Sequence, residues 1–275
     1  MRQSKLARRK GTPKMQKVAL VTGGSAGIGW ATSMRLQRAG WHVVSASRRA
    51  TAPARCEGLA MDVDDDASVR DGVAGVLERH GHLDALVNCA GWGVAGAVEL
   101  TPLAEAKAQF ETNFWGTVRV VQAVLPAMRS RRSGRVLVMS SIAGAIGVPF
   151  QAFYSASKFA LEGFAEALAY EVSPFGVKVT IVEPGNVRTE FTDRRRVSAG
   201  EAYPGQARAI SKMEHDERNG VDPDRVAERL YQVLSCRHPP RRVSVGKASE
   251  RVGLLAKRAM PYAAFEAAAR SSLGV

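Results

Sequence analysis

From Lys17 onward, short apolar runs alternate with stretches whose apolar residues recur every three or four positions. The runs are Val18–Val21, Val43–Ala46, Ala85–Val87, Val136–Met139, Val177–Val182 and Val243–Val245. They are apolar at nearly every position, as strands buried on both faces are, instead of alternating as a half-solvated strand does. The intervening stretches carry helix signals. Thr101–Pro102 predicts a helix start with proline at the first helical position, and Asp222–Pro223 repeats the device. Val226, Leu230, Val233 and Leu234 then fall on one helical face. Strands alternating with helices predict an α/β fold, a doubly wound parallel sheet with helices on both faces. There is no internal repeat and no dividing linker, so residues 16–275 are expected to form a single domain.

Two segments stand outside this pattern. Residues 1–15 are polar, basic and aperiodic, and are expected to be a disordered lead. Residues 188–220 contain Arg194–Arg195–Arg196, three glycines and Pro204 without a clean period. A long irregular stretch in a compact domain reads as a lid over a binding site or as a solvated excursion, and the lid is the expectation here.

Composition narrows the setting. No apolar run approaches the ~18 residues of a membrane span, and no secretory signal is evident, so a cytoplasmic protein is expected. Cys56, Cys89 and Cys236 are scattered, which fits a reducing compartment better than a disulfide framework. Of the five histidines, His80 and His82 are near neighbours, but no ligand cluster is visible around them and no metal site is expected. The net charge is +13. Arg2, Lys5, Arg8, Arg9, Lys10 and Lys14 supply part of it in a stretch free of acids. No nucleic-acid-binding motif accompanies the charge, so a small molecule is the expected partner, not a nucleic acid.

Several short motifs follow strands, where an open α/β sheet binds its ligands. Thr22-Gly23-Gly24-Ser25-Ala26-Gly27-Ile28-Gly29 comes directly after the first strand. A glycine-rich turn leading into a helix offers backbone N–H groups and the positive helix end to a diphosphate. Ser140-Ser141 follows the fourth apolar run, where a hydroxyl could bind a substrate oxygen or cap a turn. Asn88-Cys89-Ala90-Gly91 follows the third, and Asn113 sits in a helical segment. Tyr154 and Lys158 are four residues apart, on one face of a helix. An ammonium near a phenol favours the phenolate and would help tyrosine exchange protons near neutral pH. The spacing alone is a weak signal.

The second strand ends at Ser45-Ala46-Ser47-Arg48-Arg49. A fold selecting NAD usually places a carboxylate here for the ribose 2′-hydroxyl. Ser47 and Arg48 could instead hydrogen-bond and pair with a 2′-phosphate, which predicts NADP(H).

Together these motifs resemble the short-chain dehydrogenase/reductase family over roughly residues 16–247. The likeness rests on TGGSAGIG, NCAG at Asn88–Gly91, Asn113, Ser141, YSASK at Tyr154–Lys158, and Pro184-Gly185 followed by Thr189. It looks closest to the hydroxysteroid and retinol dehydrogenase branch. Cys89 stands where the family usually has a second asparagine, a departure expected to be tolerated.

The resemblance implies a sheet of about seven strands and an NADP(H)-dependent interconversion of an alcohol and a carbonyl, the substrate being lipophilic. It implies Tyr154 as acid/base, Lys158 as ribose ligand that also lowers the tyrosine pKa, Ser141 as carbonyl ligand, and Asn113 as support for a water-linked proton path. It places Gly23, Ser25, Gly27, Ile28 and Gly29 along the diphosphate. Asp62 and Val63 would contact adenine, although the run Asp62–Asp66 also reads as an acidic helix start. Asn88 would brace the central strands, and Ala90, Gly91, Pro184, Gly185 and Val187 would line the cofactor, with Thr189 at the nicotinamide amide. A homodimer or homotetramer through helices near Pro102–Met128 and Ser157–Val172 is also implied. The alternatives are a nucleotide-sugar epimerase or dehydratase and a non-catalytic NADP(H) sensor or scaffold on the same fold.

Overall fold

The computed structural model describes residues 15–273; the expected basic lead lies almost entirely outside them. All six apolar runs are strands. β1 (Val18–Thr22), β2 (His42–Ser47), β3 (Glu57–Ala60), β4 (Ala85–Asn88), β6 (Gly134–Met139), β7 (Val177–Pro184) and β9 (Arg242–Val245) form a seven-stranded sheet ordered β3-β2-β1-β4-β6-β7-β9. Every pairing in it is parallel. β5 (Val94–Gly96) and β8 (Arg196–Ser198) make a separate parallel ladder.

Nine helices complete the described chain: α1 (Gly27–Arg38), α2 (Asp66–His80), α3 (Leu103–Phe110), α4 (Gly116–Ser130), α5 (Ala152–Val172), α6 (Gln206–Arg218), α7 (Pro223–Ser235), α8 (Ala248–Ala259) and α9 (Tyr262–Leu273). None is long and apolar enough to cross a membrane.

The two-faced burial of the strands divides the core. Val18, Leu20, Val44, Leu86, Val136 and Val138 pack with Val73 and Val76 of α2, Val120 and Val124 of α4, and Leu161 and Leu168 of α5. The neighbouring strand positions Ala19, Val21, Val43, Val87 and Leu137 face the other way, onto Leu36 of α1 and Val226, Leu230, Val233 and Leu234 of α7. This gives each apolar run its lack of alternation. Among the described residues the fold is a single, Rossmann-like domain.

Three expectations need correction. Pro102 occupies the N-cap of α3, and the helix begins at Leu103, one residue later than expected. Residues 188–220 are not irregular throughout: they contain β8 and the thirteen-residue α6. That helix buries only Gln206, Ala209 and Ile210, so its amphipathic signal is confined to one turn. Third, His80 does have ligand-type neighbours. His42 at the start of β2, Glu57 at the start of β3 and His80 at the end of α2 converge at the amino end of the sheet. Their wide separation in sequence hid the cluster.

Candidate active site

The strand order reverses direction between β1 and β4, where Thr22 and Asn88 lie side by side in register. Such a switch point opens a crevice beyond the carboxyl ends of the strands. The crevice is a cavity of about 1010 Å³. Of the residues expected to bind or react, it is lined by Gly23, Ser25, Gly27, Ile28, Gly29, Ser47, Arg48, Asp62, Val63, Ala90, Gly91, Ser141, Tyr154, Lys158, Pro184, Gly185, Val187 and Thr189. Asn88 and Asn113 stand just behind its wall.

The glycine-rich turn is built as the sequence suggested. Gly23 has φ +63° and lies so close to the β4 loop that a Cβ there would fall 2.8 Å from the Ala90 nitrogen. A side chain is excluded on both counts. The N-cap of α1, Ala26, supplies no side-chain cap, which leaves the first-turn N–H groups free for an anion. Thr22 Oγ1 accepts from the Ala90 N–H at 3.2 Å and ties the two loops together.

At the end of β2 the Ser47 hydroxyl is buried without a hydrogen-bond partner, as is the Ser45 hydroxyl below it. Arg48 and Arg49 follow, exposed along the cavity. Asp62 and Val63 line the same end. The acidic run also acts as a helix start, since Asp65 Oδ1 accepts from the Ser68 N–H at 2.7 Å. The donor-rich turn, the orphaned serine and the arginines fit a phosphorylated dinucleotide.

The Asn88 side chain does not brace its neighbours as expected: both its polar atoms are buried without a partner. Asn113 lies in a π-helical turn, Glu111–Trp115, that interrupts the α3–α4 helix. Both amide hydrogens are used, Nδ2 donating to the Trp92 carbonyl at 3.0 Å and to Ser157 Oγ at 3.2 Å, and Oδ1 accepts from the Trp92 N–H at 3.0 Å. The side chain thus clasps the loop after β4; a proton path would have to use the main chain or another group.

Ser141 follows β6 and caps a turn, one of the two roles the sequence allowed. Its hydroxyl accepts from the Ala143 N–H at 3.1 Å, capping a turn, and donates to the Pro184 carbonyl at 3.4 Å; it also lies where it favours the Tyr154 phenolate. Tyr154 and Lys158 share one face of α5, with Nζ 5.6 Å from the centre of the phenol ring. Lys158 donates to the Met139 carbonyl at 2.9 Å. Burial pushes the phenol up to about 12, outweighing the hydrogen bond from Ser141, so the expected lowering by Lys158 is not realised in the free protein. Burial also lowers the Lys158 ammonium to about 8. The neighbouring Cys89 thiol is pushed up to about 12, again by burial, and is a packing group instead of a nucleophile.

The remaining wall comes from residues that no sequence pattern singled out: Trp92, Val148, Pro149, Gln151, Phe191, Ala209 and Met213. They belong to four separate segments, and only the lid expectation pointed to any of them. The 188–220 segment is held down firmly. β8 pairs with β5, and Arg195 is buried against Glu217, whose other oxygen accepts from Thr192 Oγ1 at 2.7 Å. Arg196 stacks 4.6 Å over Trp92.

Comparison with known proteins agrees with this geometry. The family model for short chain dehydrogenase matches residues 17–199. The chain is 40% identical over 236 residues to a 3-ketodihydrosphingosine reductase of Bacteroides thetaiotaomicron, covering 84% of this chain and 88% of that one. It is 36% identical over 253 residues to retinol dehydrogenase 8 of Bos taurus, covering 82% and 80%. A crystal structure of a short-chain dehydrogenase from Streptomyces avermitilis superposes with a TM-score of 0.81 at 35% identity, covering 90% and 93%. A metagenomic short-chain oxidoreductase in complex with NADP gives a TM-score of 0.66 at 27% identity, covering 83% and 96%.

Proposed function

The chain belongs to the short-chain dehydrogenase/reductase family of oxidoreductases, and from this premise we propose that it reduces a lipophilic ketone or aldehyde with NADPH. The observation that carries the reading is the convergence of Ser141, Tyr154 and Lys158 beside a glycine-rich dinucleotide turn.

The nicotinamide, when bound, supplies the hydride. The protein supplies the proton and the orientation. Tyr154, held in its neutral form by burial, donates its proton to the carbonyl oxygen as negative charge builds there. The Ser141 hydroxyl hydrogen-bonds the same oxygen and fixes the carbonyl against the phenol. Lys158 holds the ribose and, as an ammonium, eases formation of the phenolate that the transfer leaves behind. Asn113 positions the loop at Trp92, and Asn88 offers its unpartnered amide to the same region. Gly23, Gly27 and Gly29 pass the diphosphate, with Ser47 and Arg48 at the 2′-phosphate.

The substrate class is supported by the apolar wall of Trp92, Val148, Pro149, Phe191 and Met213. The names of the reductase and retinol dehydrogenase relatives point the same way. A homo-oligomer is proposed through the faces of α3–α5, where Leu103, Trp115, Phe159 and Tyr170 are exposed. Intact Ser141, Tyr154 and Lys158 weigh against a non-catalytic sensor. The test is NADPH oxidation against a panel of long-chain, aromatic and small charged carbonyl compounds. Turnover of the long-chain members is expected. Preference for small charged carbonyls would refute the substrate class, and no turnover of any member would refute the reductase reading.

A further inference from the structure

At the end of the sheet opposite the cavity, three side chains from three elements meet. His42 Nε2 lies 2.9 Å and His80 Nε2 2.8 Å from the same oxygen of Glu57, Oε2. All three donor atoms lie within 4.8 Å of one another. The two imidazole rings are 4.2 Å apart, centre to centre. All three side chains are partly open to solvent, so an ion has a way in.

We propose that His42, Glu57 and His80 form a binding site for a divalent transition-metal ion such as Zn²⁺. Two imidazoles and one carboxylate suit zinc and its late first-row neighbours, leaving one position for water. Bonds of about 2.0–2.1 Å in tetrahedral geometry require donor atoms about 3.3–3.4 Å apart. The two histidine–carboxylate contacts reach this by opening roughly half an ångström, and the two imidazole nitrogens, within 4.8 Å of each other, settle to the same spacing by ring rotation.

Arg79 shapes the site. Its Nε and Nη2 donate to Glu57 Oε1 at 3.0 and 2.6 Å, which fixes the carboxylate plane and reserves Oε2 for the metal. Such outer partners orient ligands. Its charge also opposes the cation, so micromolar affinity is expected. His82 is not part of the site, because its ring nitrogens face the His80 and Gln16 carbonyls and Asp84.

A metal here would cross-link the edge strand β3, the start of β2 and the end of α2. β3 is only four residues long and is covered by no further strand. The ion therefore staples the sheet edge, remote from the chemistry at the carboxyl ends of the strands.

The experiment is titration of untagged, full-length protein with Zn²⁺ by calorimetry, in a Cys236→Ser background that removes the exposed thiol. Wild-type chemistry at the site should bind one ion per chain. His42→Ala and His80→Ala should each weaken binding by roughly tenfold or more. Zn²⁺ should raise Tm in the parent and leave the His42→Ala/His80→Ala variant unmoved. Substitution with Co²⁺ should give the visible bands of a nitrogen and oxygen site without thiolate charge transfer. Unchanged NADPH affinity in the variants establishes that they are folded. Absence of saturable binding, binding unaltered in the double variant, or a thiolate band would each overturn the proposal.

Discussion

The ring of Phe191 lies 5.6 Å from that of Tyr154, tilted by 58°. An aromatic side chain from the segment after β7 thereby packs against the phenol and contributes to the burial that keeps the proton on oxygen. Replacing Tyr154 by Phe keeps this packing and removes only the hydroxyl. Turnover should fall by at least about a thousandfold, in line with loss of a general acid and an oxygen ligand together. NADPH affinity, measured by fluorescence, should change less than about threefold, because the hydroxyl is not assigned to the cofactor. Substantial residual kcat would refute the assignment of Tyr154.

Cofactor choice should depend on the end of β2. The Ser47 hydroxyl is buried without a partner, and Arg48 stands exposed beside it. A charge-assisted hydrogen bond to a 2′-phosphate is worth about 1.5–3 kcal/mol, or one to two decades in affinity. Arg48→Ala should reduce kcat/KM for NADPH by about that factor and leave NADH nearly unchanged. Ser47→Asp should reverse the preference by repelling the phosphate and accepting from a ribose hydroxyl. Equal use of NADPH and NADH by the parent would show that these residues do not select the phosphate.

Much of this was legible in the sequence, for identifiable reasons. The central strands are buried on both faces, so Val18–Val21 and Val136–Met139 advertise themselves as continuous apolar runs. β3 was silent because it is a half-exposed edge reading Glu-Gly-Leu-Ala. β5 and β8 have three residues each, too few to set a period. The clustering of the candidate catalytic residues was readable because Tyr154 and Lys158 share one helix and Ser141 a nearby strand end. The substrate wall was not, since Trp92, Gln151, Phe191 and Met213 meet only through tertiary packing. The raised Tyr154 pKa was likewise invisible, being a consequence of burial that opposes the local charge.

Glu57 links acid stability to the same edge cluster. Burial pushes its carboxyl up, but hydrogen bonds from His42, Arg79 and His80 prevail and hold it at about 2. An unfolded glutamate titrates near ~4.3. A depressed folded pKa adds stability that is fully present above about pH 4.3 and is lost as pH falls towards about 2. With a chelator present, Glu57→Gln should therefore cost roughly 1–3 kcal/mol in urea unfolding at pH 6. The difference between parent and variant should shrink steadily below pH 4. A gap that stays constant down to pH 3 would show that the carboxylate charge is not its source.

The last expectation concerns how the 188–220 segment is held over the cavity. Gln206, the first residue of α6, is buried, and its amide bridges two strand ends. Oε1 accepts from the Ala97 N–H at 2.9 Å, and Nε2 donates to the Ser198 carbonyl at 2.7 Å. The amide thus fastens α6 to the ends of both β5 and β8. Gln206→Leu would leave a buried N–H and a buried C=O unpaired, each worth about 1–3 kcal/mol. That exceeds what a three-residue ladder can absorb, so local opening should become frequent. Amide exchange across residues 196–218 should accelerate by at least about tenfold, while exchange in β1, β4 and β6 stays slow. KM for the carbonyl substrate should rise several-fold, with NADPH affinity little changed, because the glycine-rich turn does not contact this amide. Gln206→Glu separates the two bonds: it keeps the acceptor for Ala97 and, when ionised, loses the donor to Ser198. Its effect should lie between those of the parent and Gln206→Leu, and should diminish as lower pH restores a proton to the carboxyl. If exchange across 196–218 were the same in all three proteins, the backbone ladder and the Arg195–Glu217 pair would be sufficient to hold the segment, and Gln206 would not be its fastening.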